Sequence, residues 1–225
     1  MGTASRNFSD DDRERINQAV KQAETITSAE IVPVVAGSSG RYDRAEDIVG
    51  VWVAGLLIVL TWLFYPLPVS DAGDWSATHP LWQLIAILIA GVVGFLLGAV
   101  LGTCYLPLRR MFTPVSQMQE EVYTRARQVF YDNRVHHTAG ASGVLLYVSL
   151  YEHQAAVIAD QTVLDKIDQA GLHAICTEFT DRLHTESMAS ALCETIQHLG
   201  ERLATDLPAT GEKKNELSDA LVELE

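Results

Sequence analysis

The sequence predicts a small α/β domain that is interrupted, after its first strand, by a hairpin of two hydrophobic helices. Three observations carry this. No Asp, Glu, Lys or Arg occurs from Ile48 to Ser70 or from Ser76 to Leu108. The segments on either side show helical and strand periodicities. One helix and one strand precede the hairpin, too little to bury a core alone, so their partners must follow it.

The first apolar span covers Ile48 to Tyr65, about 27 Å at a rise of 1.5 Å per residue, close to the hydrocarbon thickness of a bilayer. The second covers Trp82 to Leu106 and can span with some tilt. Trp62, Tyr65, Trp75, Trp82 and Tyr105 fall near the span ends, where amphipathic rings settle at headgroup level. Pro66 and Pro68 end the first helix. The loop between the spans holds Asp71 and Asp74 but no Lys or Arg, whereas Arg41, Arg44, Arg109 and Arg110 lie outside them. Positive charge stays on the cytoplasmic side, which predicts a multi-pass protein of the inner membrane with both termini in the cytoplasm. Neither span carries a charged side chain, which disfavours a transporter or channel.

Gly94, Gly98 and Gly102 repeat every four residues and so share one face of the second span. Gly50 and Ala54 have the same spacing on the first. Small residues let helix backbones approach in lipid. The pattern leaves two readings open, a hairpin packed on itself and a homo-oligomer formed through the glycine face.

Residues 1–47 form the N-terminal part of the soluble domain. Ser9 reads as an N-cap, with Asp10, Asp11 and Asp12 favoured in the first turn by the helix dipole. Ile16, Ala19, Val20 and Ala23 make the buried stripe. Glu30 to Ala36 reads as a strand, with Pro33 pointing to an open edge or a bulge. Gly37 to Gly40 reads as a flexible link to the hairpin, residues 48–110. Residues 111–208 supply the rest of the domain. A helix starts at Thr113-Pro114 and carries Val115, Met118, Val122, Val129 and Phe130. Gly143 to Leu150 is a nearly continuous apolar strand, joined by a tight turn to an antiparallel strand from Gln154 to Asp160. A short helix from Gln161 to Asp168, ending at Gly171, is followed by helices around Phe179 and from Met188 to Pro208. Residues 209–225 read as an acidic tail.

The net charge of −13 gives no counterion-release drive toward nucleic acid. Cys104, Cys176 and Cys193 include no CxxC pair, which argues against a disulfide framework and a structural zinc site. The N-terminus lacks the apolar core of a secretory signal, and Arg6 breaks the myristoylation pattern that Gly2 opens.

Several motifs resemble the TPM domain family, which includes a thylakoid-lumen acid phosphatase and a photosystem II repair protein. They are Ala29-Glu30-Ile31 entering the first strand, Tyr42 and Ala45, Gly143-Val-Leu-Leu-Tyr-Val-Ser149 leading through Glu152-His153 into Val157-Ile-Ala-Asp160, and Asn215-Glu216-Leu217. The resemblance implies a Rossmann-like, three-layer α/β/α domain. It also implies either an accessory role, with LemA-type membrane proteins as partners, or acid phosphatase activity. The inserted hairpin and the cytoplasmic placement depart from the plant pattern and favour a protein-interaction module.

No GxSxG, P-loop or GxGxxG motif is present. The candidate catalytic residues are Asp160, Asp165 and Glu152, because ligands in open α/β sheets sit at strand ends. Asp160 and Asp165 are the candidate ligands for Ca²⁺ or Mg²⁺, which prefer carboxylate oxygen. Against this stands a plain structural role for Asp160 as a helix cap. His136 and His137 are neighbours that point about 100° apart on a helix and read as solvated helix-end residues.

Overall fold

The computed structural model describes residues 8–40, 43–64, 81–105, 113–138, 140–209, 217 and 220–224. The chain divides into two compact units, one formed by residues 1–40 with 116–225 and the other by 41–115.

The first unit is a mixed α/β fold. Helix α1 (Asp10–Ile26) opens on a complete capping box: Ser9 Oγ accepts from the Asp12 amide at 3.1 Å, and Asp12 Oδ2 accepts from the Ser9 amide at 3.1 Å. Strand β1 (Glu30–Ala36) follows. After the second unit come α4 (Val115–Asp132), β2 (Gly143–Ser149), β3 (Gln154–Ala159), the single turn α5 (Gln161–Leu164), α6 (Gln169–Arg182), α7 (Met188–Asp206) and β4 (Val222–Leu224).

The strand order is β3-β2-β1-β4. β1 runs parallel to β2 over seven register pairs, from Glu30↔Gly143 to Ala36↔Ser149, and parallel to β4. β2 and β3 form an antiparallel hairpin. Strand alternation sends Ile31, Val35, Val144, Leu146 and Val148 to one face, against α1, α6 and α7. Val32, Val34, Leu145 and Tyr147 leave the other face and meet Val122, Ala126, Val129 and Phe130 of α4. Both faces are covered, so β1 and β2 are buried along their whole length and mostly apolar, as expected of strands buried on both sides.

Three local expectations need revision. β1 is internal rather than at an edge. Pro33 is tolerated because β4 begins pairing only at Val34, so the missing N–H falls just before that ladder. The helix expected from Gln161 to Asp168 stops at Leu164, and Asp168 instead caps α6 by accepting from the Gly171 amide at 2.8 Å. Gly171 therefore lies buried inside a helix, not at the end of one. The tail ends in β4, which is held by Arg13 Nε to Glu223 at 2.7 Å and by the Gly37 amide to the Leu224 carbonyl at 3.0 Å. Asn215 and Glu216 of the TPM-like motif lie outside the described residues, as do Trp75, Asp71, Asp74, Arg109 and Arg110.

The second unit is a helix pair, α2 (Asp43–Phe64) and α3 (Leu81–Cys104), and both helices are long and apolar enough to cross a membrane. Gly94, Gly98 and Gly102 are its buried residues on α3. A Cβ on Gly94 would lie 2.7 Å from Ala54 Cα, one on Gly98 2.7 Å from Gly50 Cα, and one on Gly102 3.0 Å from Glu46 Cα. Each step of four along α3 meets a step of four back along α2, so the glycine face is filled by the hairpin's own partner helix. The large side chains point away: Trp52 is 71% exposed and Val92 62%. A core helix of a soluble protein would bury those residues.

Candidate functional site

Two groups of sequence-predicted site residues lie at opposite ends of the sheet. Glu152 sits where the parallel strands β1 and β2 end. There the β1–β2 ladder is prolonged by the Leu150 amide to the Ala36 carbonyl at 3.0 Å and the Tyr151 amide to the Gly37 carbonyl at 3.1 Å. The chain then turns through His153, whose φ of 54° places it in the left-handed region. This turn drives the Glu152 carboxylate inward, where it is 1% exposed. Its Oε1 accepts from the amides of Ser39 at 2.9 Å and Gly40 at 3.3 Å, and its Oε2 accepts from Ser149 Oγ. Ser39 Oγ also pairs with the Tyr147 hydroxyl at 3.0 Å. Burial pushes the Tyr147 phenol above its ordinary value, an effect that Ser39 and Arg125 oppose.

The loop Gly37 to Gly40, expected to be a flexible link, is therefore pinned to the β2–β3 turn. A buried carboxylate that accepts two amides and a hydroxyl is spent on holding structure. It joins the exit of β1, from which the chain passes to α2, to the end of β2.

Asp160 lies at the other end. It caps α5, its Oδ1 accepting from the Gln161 amide at 2.8 Å, while Oδ2 is buried and has no hydrogen-bond partner among the described residues. Asp165 is the C-cap of the same turn and accepts from Gln161 Nε2 at 2.7 Å. The two carboxylates are thus bridged by Gln161. Among the described residues no three His, Cys, Asp or Glu side chains converge on a metal-sized space.

The structure adds a third acidic residue to this end of the sheet. Glu30 pairs in register with Gly143, and the Asp160 amide donates to the Gly143 carbonyl at 2.9 Å, so Glu30, Gly143 and Asp160 form one cross-strand row. Their side chains share the face of Val32 and Ile158. Gly143 is obligatory here because a Cβ would overlap the Val135 carbonyl. Glu30 is 2% exposed. The sequence held a signal for it: a charged residue opening an otherwise apolar strand. Two carboxylates and a carbonyl fall short of the six to eight oxygens that Ca²⁺ takes, so these residues do not complete a cation cage by themselves. His136, expected to be solvated, is half-buried and its ring lies tilted against Tyr131, with 5.1 Å between ring centroids.

A third feature is a cavity of about 470 Å³ along β3. It is walled by Gln119 and Tyr123 of α4 on one side and by Leu172, His173 and Thr177 of α6 on the other, with Ala155 at its floor. None of its lining residues is Asp, Glu, Lys or Arg. Burial pushes the thiol of Cys176, beside it, up to about 11, so the thiol is protonated at neutral pH.

No family model and no curated protein matches the chain. Among solved structures it is similar to the NMR structure of BA42 protein from the psychrophilic bacterium Bizionia argentinensis, with a TM-score of 0.55 and 14% sequence identity, over 96% of this chain and 94% of that one. At that identity the likeness is one of fold, and it agrees with the α/β architecture.

Proposed function

We propose that this protein is a membrane-anchored accessory module whose TPM-like, Rossmann-like α/β/α domain holds a protein partner at the cytoplasmic membrane face. One observation carries the reading. Two exposed, apolar, membrane-length helices are inserted between adjacent parallel strands of a single sheet. The two strands that pair in the sheet are thus joined through two helices long and apolar enough to cross a bilayer. The Glu152 clamp supports the reading further, because it spends the best-buried candidate carboxylate on fixing the chain as it leaves β1. The positive-inside pattern of Arg41, Arg44, Arg109 and Arg110 supports cytoplasmic termini. The motif resemblance points to a LemA-type membrane protein as the partner class.

Affinity capture of the tagged full-length protein from detergent tests this. The expected result is one partner in stoichiometric amount, and a capture that returns none counts against the module. A reporter fused after Glu225 that is active outside the cytoplasm would reverse the orientation.

The alternative implied by the resemblance is a metal-assisted acid phosphatase of low turnover. It is favoured by the buried Asp160 Oδ2, which has no partner among the described residues. Its expected outcome is divalent-ion-dependent hydrolysis of a generic phosphomonoester that is lost in Asp160→Asn. Because Asn caps helices as well as Asp does, that variant stays within about 0.5 kcal/mol of the parent in stability. No turnover above a blank would remove the alternative.

A further inference from the structure

We infer that β4 is a replaceable strand, and that an extended segment of a separate protein takes its place on β1, recognised by apolar residues on either side of one acid that pairs with Arg13. This rests on the proposed role as an interaction module and names the chemistry that the module reads.

The edge of β1 gives the first argument. The Glu30 amide donates to the Ser142 carbonyl and the Ala36 carbonyl accepts from the Leu150 amide, so the even-numbered residues of β1 bond toward β2. The odd-numbered ones face the opposite edge. There the Ile31 amide donates to Glu24 Oε1 at 2.8 Å, and Pro33 has no N–H. The stretch from Val35 to Gly37 is left to receive a strand. β4 fills it with three register pairs, Val34↔Val222 to Ala36↔Leu224, and the Gly37 amide donates to the Leu224 carbonyl at 3.0 Å. The acceptor therefore has a short, fixed length. Such an edge binds through main-chain bonds and selects through alternate side chains.

The side chains give the second. Val222 and Leu224 pack on the face of α4, whereas Leu221 and Glu223 turn toward the face of α1. Glu223 meets Arg13 at two points, Oε1 with Nε at 2.7 Å and Oε2 with Nη2 at 3.4 Å. The Leu221 amide donates to Asn17 Oδ1 at 3.2 Å. A guanidinium that pairs at two points reads a carboxylate by shape as well as by charge. A segment that fits this edge places apolar, acidic and apolar residues in succession, as Val222, Glu223 and Leu224 do.

Burial gives the third. β1 and β2 are buried throughout, but Leu221 to Leu224 are all only partly buried. Leu221, Val222 and Leu224 pack against the two clusters without belonging to the buried set of either. No further strand or helix follows β4 among the described residues. Release of β4 thus bares the β1 edge and removes no fully buried side chain. A segment of like sequence remakes the same bonds, so the exchange is set by small differences in affinity. A tethered strand competes at an effective concentration on the order of millimolar, so the replacing segment must itself be held nearby, as in a protein anchored in the same bilayer. Reciprocal exchange between two copies would remake identical bonds and add the cost of association, which leaves a different protein as the occupant.

The test uses the full-length protein in detergent and a labelled, N-acetylated, C-amidated peptide with the sequence of residues 220–224, Ala-Leu-Val-Glu-Leu. Glu223→Lys sets like charges together at Arg13 and should release the chain's own strand, seen as faster amide exchange at Gly37. The peptide should bind this variant at least about tenfold more tightly than the parent, because the competent state is no longer self-occupied, and should slow the Gly37 exchange again. Arg13→Glu should reverse the preference, binding a peptide with Lys in place of its Glu and rejecting the original. The proposal is overturned if Gly37 stays protected in Glu223→Lys, if the peptide binds parent and variant alike, if neither peptide binds its matched variant, or if Arg13→Glu keeps the original preference. Parent dimers cross-linked through β4 would assign the edge to a second copy and overturn it too. A stoichiometric partner captured by the parent and equally by Arg13→Glu would also overturn it, while leaving the interaction-module reading in place.

Discussion

Leu199 on α7 and Leu88 on α3 are the same side chain in the middle of a helix, yet the first is fully buried and the second is 60% exposed. In the α/β unit large apolar residues point inward, and helices meet through Leu192, Ile196 and Leu199. In the helix pair the small residues point inward and the large ones outward. The difference is the one expected if the α/β unit faces water and the helix pair faces lipid. Water drives apolar bulk into a core. Lipid is as apolar as leucine, so helices there associate by close backbone approach, and glycine permits it.

Substitutions that treat the two units alike should therefore give opposite results. Leu199→Ala should cost about 2–5 kcal/mol, through lost burial and a residual cavity. Leu88→Ala should stay within about 0.5 kcal/mol. Denaturant unfolding of the full-length protein in detergent, followed by a probe in each unit, checks the pair; equal losses would remove the distinction. Next in size, Gly98→Ala should cost about 1–3 kcal/mol by overpacking, because its Cβ would lie 2.7 Å from Gly50 Cα and 2.8 Å from the Val49 carbonyl oxygen. Gly55→Ala, with nothing within 4 Å of its Cβ, should be neutral or stabilise the helix by up to about 1 kcal/mol. Cross-linking between cysteines placed on α2 and α3 reports whether the helices separate.

The Glu152 clamp sharpens the comparison at the point where the chain leaves the sheet. Glu152→Gln keeps the shape but loses charge-assisted acceptance from Ser39, Gly40 and Ser149, and should cost about 1–3 kcal/mol. Faster amide exchange at Ser39 and Gly40 is the specific sign, and unchanged exchange there would show that the loop is held otherwise.

The smallest effect is electrostatic and confined to the α/β unit. The Arg182 hydrogen bond at 2.8 Å holds the Glu178 carboxyl below its ordinary value of 4.5, helped by His198 at 2.9 Å. A lowered folded value means the contribution is present above the unfolded value and is lost as pH falls through the folded one. Acid titration below about pH 4.5 should therefore loosen α6 against α7, while the helix pair, whose spans carry little charge, holds its helical signal. Glu178→Gln should flatten the acid limb of the α/β unit.

The elements that the sequence made legible are those whose signal is local. Uncharged runs marked α2 and α3 because a helix must be apolar along a bilayer's thickness. Ser9 with three aspartates marked the start of α1, and the run Gly143 to Ser149 marked a strand buried on both faces. The candidate site was legible only in part. Asp160, Asp165 and Glu152 stand out as acidic residues near strand ends, but nothing local to Glu152 shows that Ser39 and Gly40, more than a hundred residues away, will occupy its carboxylate. Glu30 is not legible as a neighbour of Asp160, because their row exists only once β1 and β3 flank Gly143.

By itself, then, the chain determined two apolar spans and the kind of element on either side of them, because helix caps, strand runs and hydrophobic length act between neighbours in sequence. Strand order, the pairing of β4 with β1, the groove beside β3 and the division of acidic residues between two ends of the sheet were decided by the tertiary structure. Each depends on segments far apart along the chain meeting in one register, and that register is set by which faces can be buried together rather than by any short run of residues.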